Sequence, residues 1–217
     1  MSTTREVAIR EQVNARLQNS NDGVDMEAPV TVMSSETVYR GVIFHIDDRK
    51  VALADTDGGE VTVHRQIIVH SPAVVMLVHD EVRDRYLLVR EYRVGPNAFA
   101  YGLPAGLMEE GENPEAAALR ELEEETGVRP SDSASARIES VGDFYSSAGM
   151  TDEVLHIYVI HLADWVDGPR HFDEDEHVQS AWVTWDELTH VGIRAADATI
   201  AIQHEQIRRL REGLDSK

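Results

Sequence analysis

The sequence predicts an α+β fold, a mixed α/β sandwich with a small N-terminal antiparallel β-sheet. Three observations carry this. β-rich runs fill residues 36–103, a well-capped helix follows near 114–126, and further strands then alternate with a short helix and a terminal amphipathic one. Strands interrupted by helices in this order imply helices packed on both faces of a mixed sheet. The expected organisation is an N-terminal extension over 1–35, a small antiparallel sheet unit over 36–70 and a main domain over 71–217.

Residues 1–35 mix charged and small polar types and read as a mobile extension, with a short helix from Arg5 to Leu17 as the alternative. From Glu36 to His70, the runs VYRGVIFHI, KVALAD and EVTVHRQIIVH are separated by Asp47-Asp48 and by Asp57-Gly58-Gly59, both hairpin signals. Three such strands have little core of their own. AVVMLVHD and RYLLVREYR are the next strands, followed by a short one near Phe99–Leu103. In the helix, Asn113 suits the N-cap, Pro114 the first position and Gly127 the residue past the C-terminus, so it runs from about Pro114 to Thr126. Later strands are expected near Ile138–Tyr145, Val154–Leu162 and Ser180–Thr184. A short helix then starts at Trp185 or Asp186, and a terminal one spans about Ala195–Leu214.

Composition sets limits. The 217 residues carry a formal charge of -20, which argues against a general nucleic-acid surface, since phosphate backbones are bound by clustered Lys and Arg. No segment approaches the roughly 20 apolar residues of a membrane span. The polar start Met1–Ser20 lacks a secretory pattern, so a cytoplasmic location and no membrane partner are expected. Zero cysteines exclude disulfides and thiolate chemistry. The ten histidines form no metal-spaced pair on a helix; His64, His70, His79 and His156 read as strand residues, and none is taken as a ligand.

The chemistry lies in GLMEEGENPEAAALRELEEETGV, residues 106–128. Glu121, Glu124 and Glu125 stand at i, i+3 and i+4 and share one helix face, where they repel unless a positive charge joins them. A solvated acidic face is the plain alternative. A hard divalent cation is the functional one, because Mg²⁺ takes oxygen ligands and is commonly bound through a few carboxylates together with substrate phosphates. Ala118, Leu119 and Leu122 let the helix pack while it presents the acids.

The segment resembles the Nudix box, G-x5-E-x7-R-E-U-x-E-E-x-G-U, at every fixed position: Gly106, Glu112, Arg120, Glu121, Leu122, Glu124, Glu125, Gly127 and Val128. The resemblance implies the Nudix fold and hydrolysis of a nucleoside diphosphate linked to another group X, with Mg²⁺ or Mn²⁺. It implies metal ligands at Glu121, Glu124 and Glu125, structural roles at Gly106, Glu112 and Gly127, and catalytic work at Glu124 and Arg120, the arginine as an orienting partner. More widely, residues from about Val38 to Leu214 look like the ADP-ribose pyrophosphatase branch, through GVIFHIDDRKVALAD, LLVREYR and the LPAG lead-in. In that branch the N-terminal sheet is often exchanged between subunits, so a homodimer is expected.

The same resemblance places the Ala105 carbonyl as a further metal ligand, the alternative being a small residue demanded by a tight loop. It places Arg93 on the substrate, where a guanidinium can grip a pyrophosphate bidentately, with a surface ion pair as the alternative, and gives Arg65 weaker support of the same kind. Glu153 would orient substrate or stand as a solvent-exposed turn acid. In the loop HFDEDEHV, Glu174 is the candidate general base and Glu176 a further metal ligand, unless the loop is merely solvated. Two departures leave the substrate open: Gly102 stands where the branch has an acid, and Ala148 where it has a proline that marks ADP-ribose specificity. ADP-ribose, cleaved to AMP and ribose 5-phosphate, is the first expectation. GDP-mannose or another sugar nucleotide, a nucleoside triphosphate, and a non-hydrolysing ADP-ribose sensor are the alternatives.

Overall fold

Thr4–Leu17 forms helix α1, none of whose residues is buried, so the helical alternative for this stretch is the one adopted. The computed structural model describes residues 4–18, 22–171 and 177–213. It divides into two compact units, residues 1–69 and 70–217.

In the first unit, β1 (Thr31–Arg40), β2 (Phe44–Ala54) and β3 (Glu60–His70) form an antiparallel-paired sheet in the order β1-β2-β3. The first strand starts at Thr31, inside the stretch read as extension. Its hairpin turn lies at residues 41–43, closed by the Gly41 N–H to the Phe44 carbonyl at 2.9 Å, and not at Asp47-Asp48. Apolar Val42 and Ile43 conceal this turn in the sequence, yet both are exposed. The two aspartates sit within β2 because neighbouring strands satisfy them. Thr37 and Ser35 donate to Asp47 at 2.8 and 3.1 Å, while His64 and Gln66 pair with Asp48. The second turn falls at Asp57-Gly58-Gly59 as expected, with Gly58 at φ +85°.

The second unit is built on β4 (Ala73–Asp80), eight consecutive buried residues. Burial on both faces explains why this strand is a continuous apolar run rather than an alternating one. It belongs to a seven-stranded mixed sheet with β5 (Arg85–Arg93), β6 (Ala98–Gly102), β7 (Ala105–Leu107), β9 (Ala136–Tyr145), β10 (Val154–Leu162) and β12 (Gln179–Thr184). The main path runs β12-β5-β4-β10-β9, with β4 and β10 parallel and the remaining pairs antiparallel. A short ribbon pairs β8 (Val128–Pro130) with β11 (Trp165–Asp167). Three-residue strands such as β7, β8 and β11 carry too little pattern to be read from sequence.

Alternate residues of β4 feed two cores. Val74, Met76 and Val78 pack with Ala117, Ala118 and Leu122 of α2 (Pro114–Thr126). Val75 and Leu77 pack with Leu188 of α3 (Trp185–His190) and with Ala198 and Ala201 of α4 (Ala196–Glu212). Helices therefore cover both faces, as the α+β prediction requires. One feature of the sheet matters for the site. β4 pairs with β5 only at His79↔Tyr86 and Asp80↔Arg85, whereas its start, Ala73–Val75, pairs with β7 and β5 pairs with β6. The sheet is thus split at the β7 end.

Candidate active site

The helix α2 begins where expected because Asn113 accepts from the backbone N–H groups of Glu115 and Ala116, at 3.0 and 3.2 Å. It ends at Gly127, whose φ of +76° is a left-handed cap. A Cβ there would lie 2.4 Å from the Gly168 carbonyl oxygen, so this cap requires glycine twice over.

Ala117, Ala118 and Leu122 bury one side of α2 and leave the acids on another. Glu125, only 5% exposed, accepts from the Ala105 backbone N–H at 3.2 Å, which ties the helix end to β7. Glu121 lies against Gly106: a Cβ at that glycine would come within 2.0 Å of the Glu121 carboxyl carbon. A side chain at position 106 would therefore displace the Glu121 carboxylate from where it lies.

Arg120 is the hub. It donates through Nε and Nη2 to the two oxygens of Glu112, each at 2.9 Å, and through Nη1 to Glu121 and Glu124, each at 2.8 Å. Nη2 also reaches the Leu107 carbonyl at 3.1 Å. The bidentate pairing with Arg120, together with the Glu109 N–H, holds the Glu112 carboxyl at about 2, well below its usual value, and Glu112 in turn raises the Arg120 pKa. Three carboxylates thus converge on one guanidinium, with Glu125 adjacent. The donor set is all oxygen and its charge is negative, which fits a hard divalent cation.

Beside β7, the split sheet opens a cavity of about 740 Å³, lined by Arg93, Phe99, Tyr101, Gly102, Ala105 and Arg194 among others. Neither it nor a larger cavity of about 930 Å³ between α3 and α4 is lined by residues 106–128, but the first includes Ala105, whose backbone N–H is held by Glu125. The one beside β7 is therefore the candidate substrate cleft. Arg93 lines it while paired with Glu91. Arg194, which no sequence motif marks, brings a second guanidinium.

The remaining candidates are more dispersed. Glu153 stands 3.2 Å from His70 Nδ1, and its turn is pinned by the His70 N–H to Asp152 at 3.0 Å. Arg65 lies on β3 in the first unit, its guanidinium on the His64 carbonyl at 2.8 Å. Glu174 and Glu176 lie outside the described residues. Just before them, the His171 N–H donates to the Glu124 carbonyl at 2.9 Å, a link that sequence patterns do not reveal.

An acidic helix clamped to a split mixed sheet through its own glutamates marks one class of hydrolase. The NUDIX domain model matches residues 69–206, more than half of the chain, and the chain belongs to the Nudix hydrolase family. It falls in the ADP-ribose pyrophosphatase-like branch. An ADP-ribose pyrophosphatase of Bacillus subtilis (strain 168) is 29% identical over 181 residues, 81% of this chain and 92% of that protein. A CMP-5'-(N-acetyl-N-hydroxy-3-aminopropyl)phosphonate hydrolase of Streptomyces rubellomurinus (strain ATCC 31215) is 33% identical over 143 residues, 65% of each chain. A crystal structure of an ADP compounds hydrolase shares the fold at a TM-score of 0.67 and 22% identity, covering 87% of this chain and 98% of that one. Among the described residues no helix is long and apolar enough to cross a membrane.

Proposed function

We propose that this protein hydrolyses the pyrophosphate bond of a nucleoside diphosphate sugar, with ADP-ribose as the leading substrate, giving AMP and ribose 5-phosphate. The observation that carries this is the convergence of Glu112, Glu121 and Glu124 on Arg120, with Glu125 of the same helix bound to Ala105 in the wall of a cleft that also holds Arg93 and Arg194. Glu121, Glu124 and Glu125 would hold Mg²⁺ or Mn²⁺, with the Ala105 carbonyl and Glu176 as further ligands. Held there, such a cation would supply charge neutralisation at the phosphate oxygens and activation of water.

The chain's own residues do the rest. Arg120 fixes Glu121 and Glu124 in one orientation, and its fork geometry makes it a positioning residue that lysine would not replace. Arg93 would grip the pyrophosphate from the cleft wall, once released from Glu91. Arg65 and Glu153 would complete the substrate contacts. Glu174 would accept the proton of the attacking water, supported by the His171 link that fastens the chain three residues earlier to the helix end. A homodimer that exchanges the N-terminal sheet is part of the proposal, supported by the exposure of Val32, Met33, Val38 and Tyr39 on β1.

The test is hydrolysis by purified protein with Mg²⁺ or Mn²⁺ across ADP-ribose, GDP-mannose, UDP-glucose, NADH, diadenosine polyphosphates and nucleoside triphosphates. Preference for ADP-ribose with release of AMP is the expected result. Preference for another sugar nucleotide would make Gly102 and Ala148 marks of a changed pocket, and no turnover at all would revive the sensor. Replacing Glu174 by Gln should lower the rate while metal binding persists; an unchanged rate would move the base elsewhere.

A further inference from the structure

Four residues beyond β7's last partner on β4, about 13 Å along the strand, stands a buried histidine that plays no part in the box. His79 on β4 meets His161 on β10, the parallel register placing them side by side. Their Nδ1 atoms are 3.0 Å apart, and both residues are at most 5% exposed. Glu81, just beyond the strand end, brings Oε1 to 3.8 Å from His161 Nδ1 and is itself open to solvent. One ligand atom from each of the three lies within 4.8 Å of the others.

We propose that His79, Glu81 and His161 form a second divalent-cation site, of the borderline type that takes imidazole and carboxylate together, separate from the acidic helix. Zn²⁺ is the archetype of such an ion.

Proton bookkeeping supports it. His79 Nε2 lies 3.1 Å from Asp84, so the proton on this ring belongs at Nε2 and Nδ1 carries a lone pair. Without a cation, His161 must then donate from Nδ1 to His79, which leaves a lone pair on His161 Nε2. That atom is buried and has no hydrogen-bond partner among the described residues, and it faces Glu139 at 3.8 Å, acceptor to acceptor. A cation between the two Nδ1 atoms removes the conflict. Both lone pairs are used, His161 carries its proton at Nε2, and that proton points at Glu139. Each ring then has a carboxylate behind it, Asp84 for His79 and Glu139 for His161, the outer arrangement that orients ligating histidines. Glu139 is held for this by His204 at 2.7 Å and Arg137 at 3.1 Å.

Two nitrogens bound to one tetrahedral Zn²⁺ at the usual bond lengths sit about 3.3 Å apart, so the Nδ1 separation need widen by only a few tenths of an ångström as the rings turn toward the ion. Two cations oppose an ion there: Arg137, 3.5 Å from Glu81 on an exposed pair that solvent screens, and Arg208, which is held by Glu205. Solvent, entering past Glu81, would provide the fourth ligand.

The test is Zn²⁺ uptake by the full chain, stripped with chelator and dialysed into excess Mg²⁺, measured by equilibrium dialysis and by the visible spectrum of the Co²⁺ form. Wild type and the box variant Glu124→Gln should both bind one ion per chain with a tetrahedral, nitrogen-ligated Co²⁺ spectrum. Glu81→Gln, a change at an exposed position, should weaken uptake at least tenfold, and His161→Gln should abolish it. No uptake by the wild type, uptake unchanged in both Glu81→Gln and His161→Gln, or uptake lost in Glu124→Gln would each overturn the site.

Discussion

Two helices of the second unit bring charge against the sheet, and they do so in opposite ways. On α4, Glu205 is fully buried and accepts from Tyr86 and from Arg208 at 2.7 and 2.6 Å. Next to it, Arg209 binds Asp84 at 2.6 and 3.2 Å and lies over Trp185 at 5.0 Å. Glu205 and Asp84 meet Arg208 and Arg209 there, and the exposed Glu212 adds an outer partner to Arg208 at 2.6 Å. On α2, three acids share one arginine. The difference teaches what each cluster is for. A matched set fastens a helix to its sheet, whereas an acid excess kept in place by backbone and a single guanidinium is, on the proposed function, the set left over for a cation.

Four measurements would break or sharpen this contrast. Glu205→Ala leaves Arg208 and the Tyr86 hydroxyl without their buried partner, and should cost about 3–5 kcal/mol in denaturant unfolding. Turnover per folded molecule should hold; a loss under 1 kcal/mol would show that α4 is not fastened this way. Glu124→Gln should do the reverse, lowering Mg²⁺-dependent turnover on the order of 100-fold, the scale of losing a group that stabilises transition-state charge. Its melting temperature in chelator should be unchanged or raised, since a repelling charge has gone; a clear fall would class this cluster with the matched one.

The third concerns acid. The Glu112 carboxyl sits near 2 in the folded chain against 4.5 as its reference, so its stabilising effect is complete above about pH 4.5 and fades as pH falls toward 2. In Mg²⁺-free buffer, Glu112→Gln should be less stable than wild type at neutral pH, with the gap closing over that window. A gap that stays constant would remove Arg120 as the cause. The smallest effect is expected at α3. Thr184 accepts from the Glu187 N–H at 3.2 Å in a reciprocal cap, and Thr184→Ala should cost about 1 kcal/mol. Activity should be untouched.

Much of this was legible in the chain. The helix Pro114–Thr126 could be bounded to the residue because Asn113, Pro114 and Gly127 act locally, and the acids could be placed on one face by spacing alone. What the pattern could not show is pairing between distant segments. The first hairpin was misplaced because Val42 and Ile43 look like strand while Asp47 and Asp48 look like a turn, and only cross-strand hydrogen bonds reverse that. His79 and His161 are 82 positions apart, and nothing in either strand announces the other. Glu205 reads as the polar face of an amphipathic helix until Tyr86 and Arg208 are seen around it. Arg194 joins the cleft wall only because α4 starts beside the split in the sheet.

Beyond the core packing of Ala117, Ala118 and Leu122 and the Arg120 hub, the acidic helix is held against main chain: the Ala105 amide on Glu125, the Gly106 approach to Glu121, and the close passage of Gly127 by the Gly168 carbonyl. The cleft wall is instead made of side chains, those of Arg93, Phe99, Tyr101 and Arg194. On the proposed function, mutation can therefore redraw the wall, and with it the group X that is accepted, without disturbing the glutamates. Inheritance of this kind of protein should conserve the reaction and diversify the cargo.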